Sequence, residues 1–338
     1  MGEIEVAALR GVDVDLLEGE LVVLLGASGS ASRSSQVSSS ETASSNTRAT
    51  ASGMARASPR GVVGTLDAGS AVVTDRDFFQ RPVSEYMSAD LELGDVDTPL
   101  AMLAQTMHGR RISALPIVDA EGALIGVVSR SDLIRLGMFH GGRRWTSPAL
   151  PLPDHRARDI MTRGPRTIAP TASLQEAGRI MNQDQIHHVF VADRGRARGV
   201  ISTLDLAAAV RDARIEYPLS AIMTSPVVSI DVHTPIGAAI ELLDRVRMTG
   251  LIVTEHGMPI GVFTQLDAIA SRDLPRDTPV EITHDAAVIC LPRETKLHRA
   301  AAHAAQLDVR RVVVCSEREA VGVIGGLDFA RVASGSLS

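Results

Sequence analysis

The sequence predicts an α/β chain, α+β within each unit, assembled from four β-α-β-β-α repeats, and three observations carry that prediction. One signature recurs along the chain: a Gly, two apolar residues, usually a Ser or Thr, two variable residues, then an Asp. It reads Gly126-Val127-Val128-Ser129-Arg130-Ser131-Asp132, Gly199-Val200-Ile201-Ser202-Thr203-Leu204-Asp205, Gly261-Val262-Phe263-Thr264-Gln265-Leu266-Asp267 and Gly322-Val323-Ile324-Gly325-Gly326-Leu327-Asp328. Successive aspartates are 73, 62 and 61 residues apart, so the first interval carries an insertion and the unit is about 60 residues long. Within each unit the apolar pattern changes from helical to strand spacing at corresponding places.

The elements follow in chain order. Residues 1–30 end in Leu21-Val22-Val23-Leu24-Leu25 and then Gly26-Ala27-Ser28-Gly29-Ser30, a strand running into a glycine-rich turn. Residues 31–70 change abruptly to Ser, Ala and Thr; so few large apolar residues cannot offset chain entropy, and a disordered linker is expected. The repeats are expected over 78–140, 155–212, 215–273 and 274–335, with a turn-rich linker over 141–154 that begins Gly141-Gly142-Arg143-Arg144. A Met-Ser or Met-Thr pair opens the first three units, at Met87-Ser88, Met161-Thr162 and Met223-Thr224. A helix is expected next, starting at Thr98-Pro99 or Thr234-Pro235, because proline fits the first helical position. Two β-rich runs and a turn follow, as in Leu115–Val118 and Leu124–Val128 around Asp119-Ala120-Glu121-Gly122. The Ser-x-x-Asp then begins the second helix.

Composition excludes several functions. A formal charge of −6 argues against general nucleic-acid binding, which draws on clustered Lys and Arg, and 3% aromatics leave little for base stacking. No apolar run reaches the roughly 20 residues that span a bilayer, so no direct membrane insertion is expected. The N-terminus lacks the basic region and cleavage site of a secretory signal, and a cytoplasmic location is expected. The two cysteines, Cys290 and Cys315, form no CxxC pair and no metal-ligand spacing; two buried thiols and no metal site are expected. No Ser-His-Asp order, HExxH or similar constellation stands out, so no catalytic residue is assigned and the chain is not expected to be an enzyme.

The four-fold β-α-β-β-α order, closing on G-φ-φ-[ST]-x-x-D with φ apolar, resembles the cystathionine β-synthase (CBS) domain family over roughly residues 80–335. The resemblance implies that repeats pair into two Bateman modules, about 78–212 and 215–335, whose clefts bind AMP, ADP, ATP or another adenosyl ligand such as S-adenosylmethionine. It also implies that Asp132, Asp205, Asp267 and Asp328 accept hydrogen bonds from ribose hydroxyls, while Ser129, Ser202 and Thr264 contact phosphate. The residue types suit this: a carboxylate can accept from two vicinal hydroxyls, and a helix N-terminus favours an anion. The bland alternative is that Ser and Asp only cap the helix.

A second position separates the repeats. Just before the second strand stand Ser113-Ala114, His187-His188, Thr249-Gly250 and Arg310-Arg311. In related nucleotide sensors basic residues there reach phosphate, so the clefts of Asp205 and Asp328 are expected to take phosphorylated ligands, and those of Asp132 and Asp267 uncharged adenosyl groups or nothing. Gly325 replaces the hydroxyl in the fourth unit, leaving Arg310 and Arg311 as its phosphate contacts. A histidine facing phosphate would make binding pH-dependent around its ordinary pKa of about 6.5.

Residues 1–30 separately resemble the start of an ABC-transporter ATPase, through Glu5–Asp13 and Gly19–Gly26. A P-loop would follow, but Ala31, Ser32 and Arg33 stand where Gly, Lys and Ser or Thr belong, so the expectation is a truncated remnant without a hydrolysis site. The expected function is a regulatory adenine-nucleotide sensor that needs no cofactor for catalysis and transmits binding to an unidentified partner protein, with homodimerisation allowed. The alternatives are a ligand-free CBS interaction or assembly module and, distantly, an ABC-type ATPase.

Overall fold

The fold was analysed in a computed structural model that describes residues 10–16, 21–23, 47–51, 75–140, 144, 146–283, 288–307, 309–316 and 319–336. Among the described residues three strands precede the repeats: β1 (Arg10–Leu16), β2 (Leu21–Val23) and β3 (Thr47–Ala51), followed by a short helix α1 (Asp75–Phe78). Repeat 1 comprises β4 (Gly94–Asp95), α2 (Leu100–Gly109), β5 (Ala114–Val118), β6 (Leu124–Ser129) and α3 (Arg130–His140). A connecting turn, α4 (Ala157–Ile160) and β7 (Thr162–Arg163), leads into repeat 2: β8 (Thr167–Ile168), α5 (Leu174–Asp184), β9 (His188–Asp193), β10 (Arg196–Ser202) and α6 (Thr203–Asp212). Repeat 3 is β11 (Ser229–Asp231), α7 (Ile236–Arg245), β12 (Gly250–Glu255), β13 (Met258–Thr264) and α8 (Gln265–Ala270). Repeat 4 is β14 (Val288–Pro292), α9 (Leu297–Gln306), β15 (Arg311–Ser316), β16 (Glu319–Gly325) and α10 (Gly326–Ala333).

In every repeat the first strand lies parallel to the second, which a helical crossover permits, and the second is antiparallel to the third, which a hairpin permits. Two expectations change. Residues 47–51, placed in the expected disordered linker, form a strand antiparallel to β1; backbone pairing needs no apolar core. The remainder of 31–70, and the residues 24–33 of the failed P-loop, lie outside the described residues. The helices after Thr98-Pro99 and Thr234-Pro235 begin one residue later than expected, with Pro99 and Pro235 as extended cap residues. Thr98 Oγ1 instead accepts from the Asp95 amide at 3.0 Å and closes the preceding turn.

The opening segment of a repeat packs on its module partner rather than on its own sheet. Ser88 bridges Val200 of repeat 2, Thr162 pairs with Val127 of repeat 1, and Thr224 bridges Val323 of repeat 4. The glycine that starts the signature explains itself here, by close approach. A Cβ built on Gly126 would lie 2.6 Å from the Met161 sulfur, and one on Gly199 2.8 Å from the Met87 sulfur, so each glycine admits the methionine of the neighbouring repeat's opening pair.

The cores do not follow the modules. Helices α5 and α6 of repeat 2 pack on α9 and α10 of repeat 4, and one apolar cluster runs from Leu174, Met181 and Leu206 through Leu297, Ala300 and Phe329. A second cluster joins repeats 1 and 3, from Leu103, Met107 and Leu133 to Ile240, Leu251 and Phe263. Each fully buried side chain of this size contributes roughly 1.5–3 kcal/mol relative to exposure, so these clusters are the main bond between the modules. Within the second module a smaller cluster, Ile252 and Val262 against Val288, Val313 and Val323, joins the sheets of repeats 3 and 4. Repeat 1 therefore stands on repeat 3 and repeat 2 on repeat 4, while each module binds 1 to 2 and 3 to 4.

Candidate ligand-binding site

The signature Asp is, first, a capping residue. The Ser129 amide and hydroxyl donate to Asp132 Oδ2 at 2.8 and 2.7 Å, and the Ser202 pair to Asp205 Oδ2 at 2.7 and 2.7 Å. Thr264 does the same to Asp267 Oδ2 at 2.7 and 2.6 Å. This is a reciprocal box, in which the Asp on the first turn reaches back to the residue before the helix. In repeat 4 only the Gly325 amide remains to donate to Asp328 Oδ2, at 2.7 Å.

What lies three residues further on divides the four. Asp328 Oδ1 accepts from Arg331 at 2.8 Å and from Thr224 Oγ1 at 3.5 Å, and the residue is only 6% exposed. Burial raises its pKa, against the pull of the Gly325 amide and Arg331. Both of its oxygens thus accept hydrogen bonds from within the chain. Asp132 has Arg135 at the same spacing, 3.8 Å away and largely exposed. Behind Asp205 and Asp267 that position holds Ala208 and Ala270.

The position just before the second strand proves to lie opposite the signature hydroxyl. Cross-strand pairing sets Ala114 against Ser129, His188 against Ser202, Gly250 against Thr264 and Arg311 against Gly325. The positions of repeats 2, 3 and 4 come together. Arg311 of repeat 4 crosses to repeat 3, where it donates to Thr249 Oγ1 at 2.8 Å, and a Cβ on Gly250 would come within 2.7 Å of its guanidinium. Thr249 in turn accepts from the Gln265 amide at 3.1 Å, and Gln265 Nε2 donates to Ser131 Oγ of repeat 1 at 3.0 Å. On the other side a Cβ on Gly326 of repeat 4 would sit 2.3 Å from Thr203 Oγ1, and the Thr203 amide donates to the His187 carbonyl at 3.0 Å.

The two basic pairs, which stand in different repeats, therefore lie within one another's electrostatic reach. The cause is the packing of repeat 2 on repeat 4. Its electrostatics are unusual. Burial pushes the His187 pKa down to about 3, helped by Arg311, Arg310 and His188. Burial and Arg310 push His188 down to about 4. Arg311 itself is lowered to about 10 by burial and by Arg310, with Asp328 acting in the opposite sense. The expected titration near 6.5 is thus absent without a ligand: both imidazoles are neutral at pH 7. His188 Nδ1 is buried with no hydrogen-bond partner, and its ring packs edge-on against Phe190 at 5.5 Å. An anion entering here would meet two guanidinium groups and two imidazoles supplied by both modules.

Sequence reasoning gave no role to Arg130, Thr249 or Gln265. Arg130 is buried, and its Nε donates to the Ile112 carbonyl at 2.9 Å beside the corresponding position of repeat 1. A charged residue inside the signature was the available signal. Cys290 and Cys315 are free thiols on neighbouring strands; a hydrogen bond to Cys315, then burial, raises the Cys290 pKa. Among the described residues no group of three or more His, Cys, Asp or Glu could hold a metal ion, and no helix is long and apolar enough to cross a membrane.

Comparison with known proteins adds a family. The CBS domain model matches residues 83–138, 157–212 and 219–273. Repeat 4, which follows the matched residues, has the same element order as the other three. A CBS domain-containing protein of Dictyostelium discoideum is 30% identical over 134 residues, 37% of this chain and 87% of that protein. An uncharacterized 33.4 kDa protein from the ribosomal RNA operon of Thermofilum pendens is 26% identical over 217 residues, 60% of this chain and 68% of that one. The crystal structure of protein MJ1225 from Methanocaldococcus jannaschii shares the fold with a TM-score of 0.63 at 17% identity, over 74% of this chain and 99% of that one.

Proposed function

Because this chain belongs to the CBS domain family, we propose that it is a regulatory, non-catalytic sensor of adenine nucleotides, with one principal site built on repeat 2 and completed by repeat 4. The observation that carries this reading is the convergence of His187, His188, Arg310 and Arg311, opposite Ser202 and Gly325, at the contact between modules. Phosphate groups would lie among these side chains. Asp205, on the same helix start as Ser202 and with Ala208 in place of the arginine that engages Asp328, is the ribose acceptor. Asp267, likewise followed by alanine, is the candidate for an adenosyl group without phosphate, such as that of S-adenosylmethionine.

A ligand that touches both modules favours one arrangement of repeat 2 on repeat 4 over others, and the changed outer surface is what a partner protein reads. Linkage of this kind needs only a difference in affinity between arrangements. Calorimetry and thermal shift with AMP, ADP, ATP and S-adenosylmethionine test the reading on wild type, Asp205→Ala and Arg310→Ala/Arg311→Ala. Nucleotide should raise the melting temperature of wild type, and both variants should lose at least tenfold in affinity, about 1.4 kcal/mol. Saturating nucleotide that leaves wild type unshifted would instead identify a ligand-free assembly module.

A further inference from the structure

We propose that the cationic centre takes up its anion together with protons, carried by His187 and His188, so that occupancy of the site is coupled to pH. This rests on the phosphate-site reading above and adds its regulation. His188 pairs across the strands with Ser202 and Arg311 with Gly325, and the next residues of those two helix starts, Thr203 and Gly326, are packed together, a Cβ on Gly326 falling 2.3 Å from Thr203 Oγ1 while the Thr203 amide holds the His187 carbonyl at 3.0 Å. That contact of repeat 2 with repeat 4 sets the histidines and Arg310 and Arg311 within each other's field. The carboxylates on the two helices that start here are tied into caps: Asp205 by Ser202, and Asp328 by Gly325, Arg331 and Thr224. Of these, Asp328 acts on Arg311. Burial and the arginines lower both histidines.

A bound dianion reverses that field. Its charges offset the two guanidinium groups that oppose protonation, and an imidazolium can donate to it from both ring nitrogens, whereas a neutral imidazole donates from one. His188 Nδ1, buried and unpartnered, is a group that gains by this. The protonated imidazoles are then favoured in the complex and disfavoured in the free protein, so binding must draw protons from solvent. The ligand class follows: anions of charge two or more, with the advantage over uncharged adenosyl compounds growing as pH falls.

Calorimetric titration of the full chain with sulfate, a dianion that does not itself titrate between pH 6 and 8, and with ADP provides the test. Pairs of buffers of equal pH and different ionisation enthalpy report proton uptake directly. Wild type should take up between about one and two protons per sulfate at pH 6.5, with affinity rising severalfold for each unit of falling pH, toward a limit of about tenfold per proton. His187→Gln/His188→Gln should still bind through Arg310 and Arg311 but with proton uptake near zero for sulfate, and His188→Gln alone should remove part of it. Sulfate binding to wild type without buffer-dependent heat overturns the inference and leaves the phosphate site standing. Failure of both sulfate and ADP to bind wild type overturns the site and the inference together. Unchanged uptake in a double variant that retains the wild-type circular dichroism spectrum also overturns it, by assigning the protons elsewhere.

Discussion

The half of the molecule made by repeats 1 and 3 and the half made by repeats 2 and 4 share one fold and differ in what they place where the modules meet. In the first, Ser129 and Thr264 hold Asp132 and Asp267, the positions opposite are Ala114 and Gly250, and Gln265 and Ser131 join the repeats through neutral hydrogen bonds. In the second, the corresponding positions are His188 and Arg311, and one hydroxyl has become Gly325. The difference teaches that register alone does not assign a role. Asp205 and Asp328 occupy the same place in the same helix turn, yet Arg331 and Thr224 engage the second, at 2.8 and 3.5 Å.

The largest effects should break the two halves separately. Phe263 and Phe329 are each almost completely buried, in different clusters. Truncation to Ala at either should cost about 3–5 kcal/mol. If the halves are distinct cooperative units, hydrogen exchange on Phe329→Ala will show lost protection in α5, α6, α9 and α10 first, and on Phe263→Ala in α2, α3, α7 and α8. Identical protection maps would mean that the two clusters unfold as one.

Acid should separate the halves next. Both histidines of the second half have folded pKa values, about 3 and about 4, below the unfolded value of 6.5, so the unfolded chain binds protons that the folded chain refuses. Their stabilising contribution is complete above pH 6.5 and is lost as pH falls toward 4 and 3. By pH 5 the loss is about 2 kcal/mol per histidine as an upper bound. Denaturant melts at pH 7 and pH 5 should show it, and His187→Gln/His188→Gln should flatten the difference. Saturating sulfate should oppose it in wild type.

Much of this contrast is legible in the sequence. The four signatures, the basic pairs and the missing hydroxyl at Gly325 are local patterns that survive whatever the chain does globally. What the chain does globally decides the rest. That Arg311 acts on His187 depends on α6 packing against α9 and α10, residues more than eighty apart in sequence. That Met87 and Met161 lie against the glycines of the neighbouring repeat depends on an exchange of opening segments, which leaves no periodic signal. The Asp328–Arg331 pair stands at helical spacing and could have been anticipated. Its burial, which turns a surface pair into a committed one, could not. Substituting the two aspartates shows the consequence: Asp328→Ala should cost about 1–2 kcal/mol by loss of a cap and of the charge-assisted bond from Arg331, and Asp205→Ala about 1 kcal/mol by loss of a cap. Nucleotide affinity should fall only for Asp205→Ala. A greater loss of affinity at Asp328 would reverse the assignment.

The smallest change restores what repeat 4 lacks. A Cβ on Gly325 would meet only Asp328 Oδ2, at 3.7 Å, an ordinary contact, and the residue is already in the extended conformation that a serine cap adopts. Gly325→Ser should therefore fit without rearrangement and donate a second hydrogen bond to Asp328 Oδ2, as Ser202 does to Asp205. Serine and glycine differ by only a few tenths of a kcal/mol at this position of a helix, so the melting temperature should rise by no more than about 1–2 °C. Nucleotide affinity should stay within twofold of wild type, because Arg331 and Thr224 hold the other carboxylate oxygen whether or not the hydroxyl is present. Gain of a second nucleotide equivalent in calorimetry would mean that the hydroxyl, and not the engagement of Asp328, is what separates repeat 4 from repeat 2.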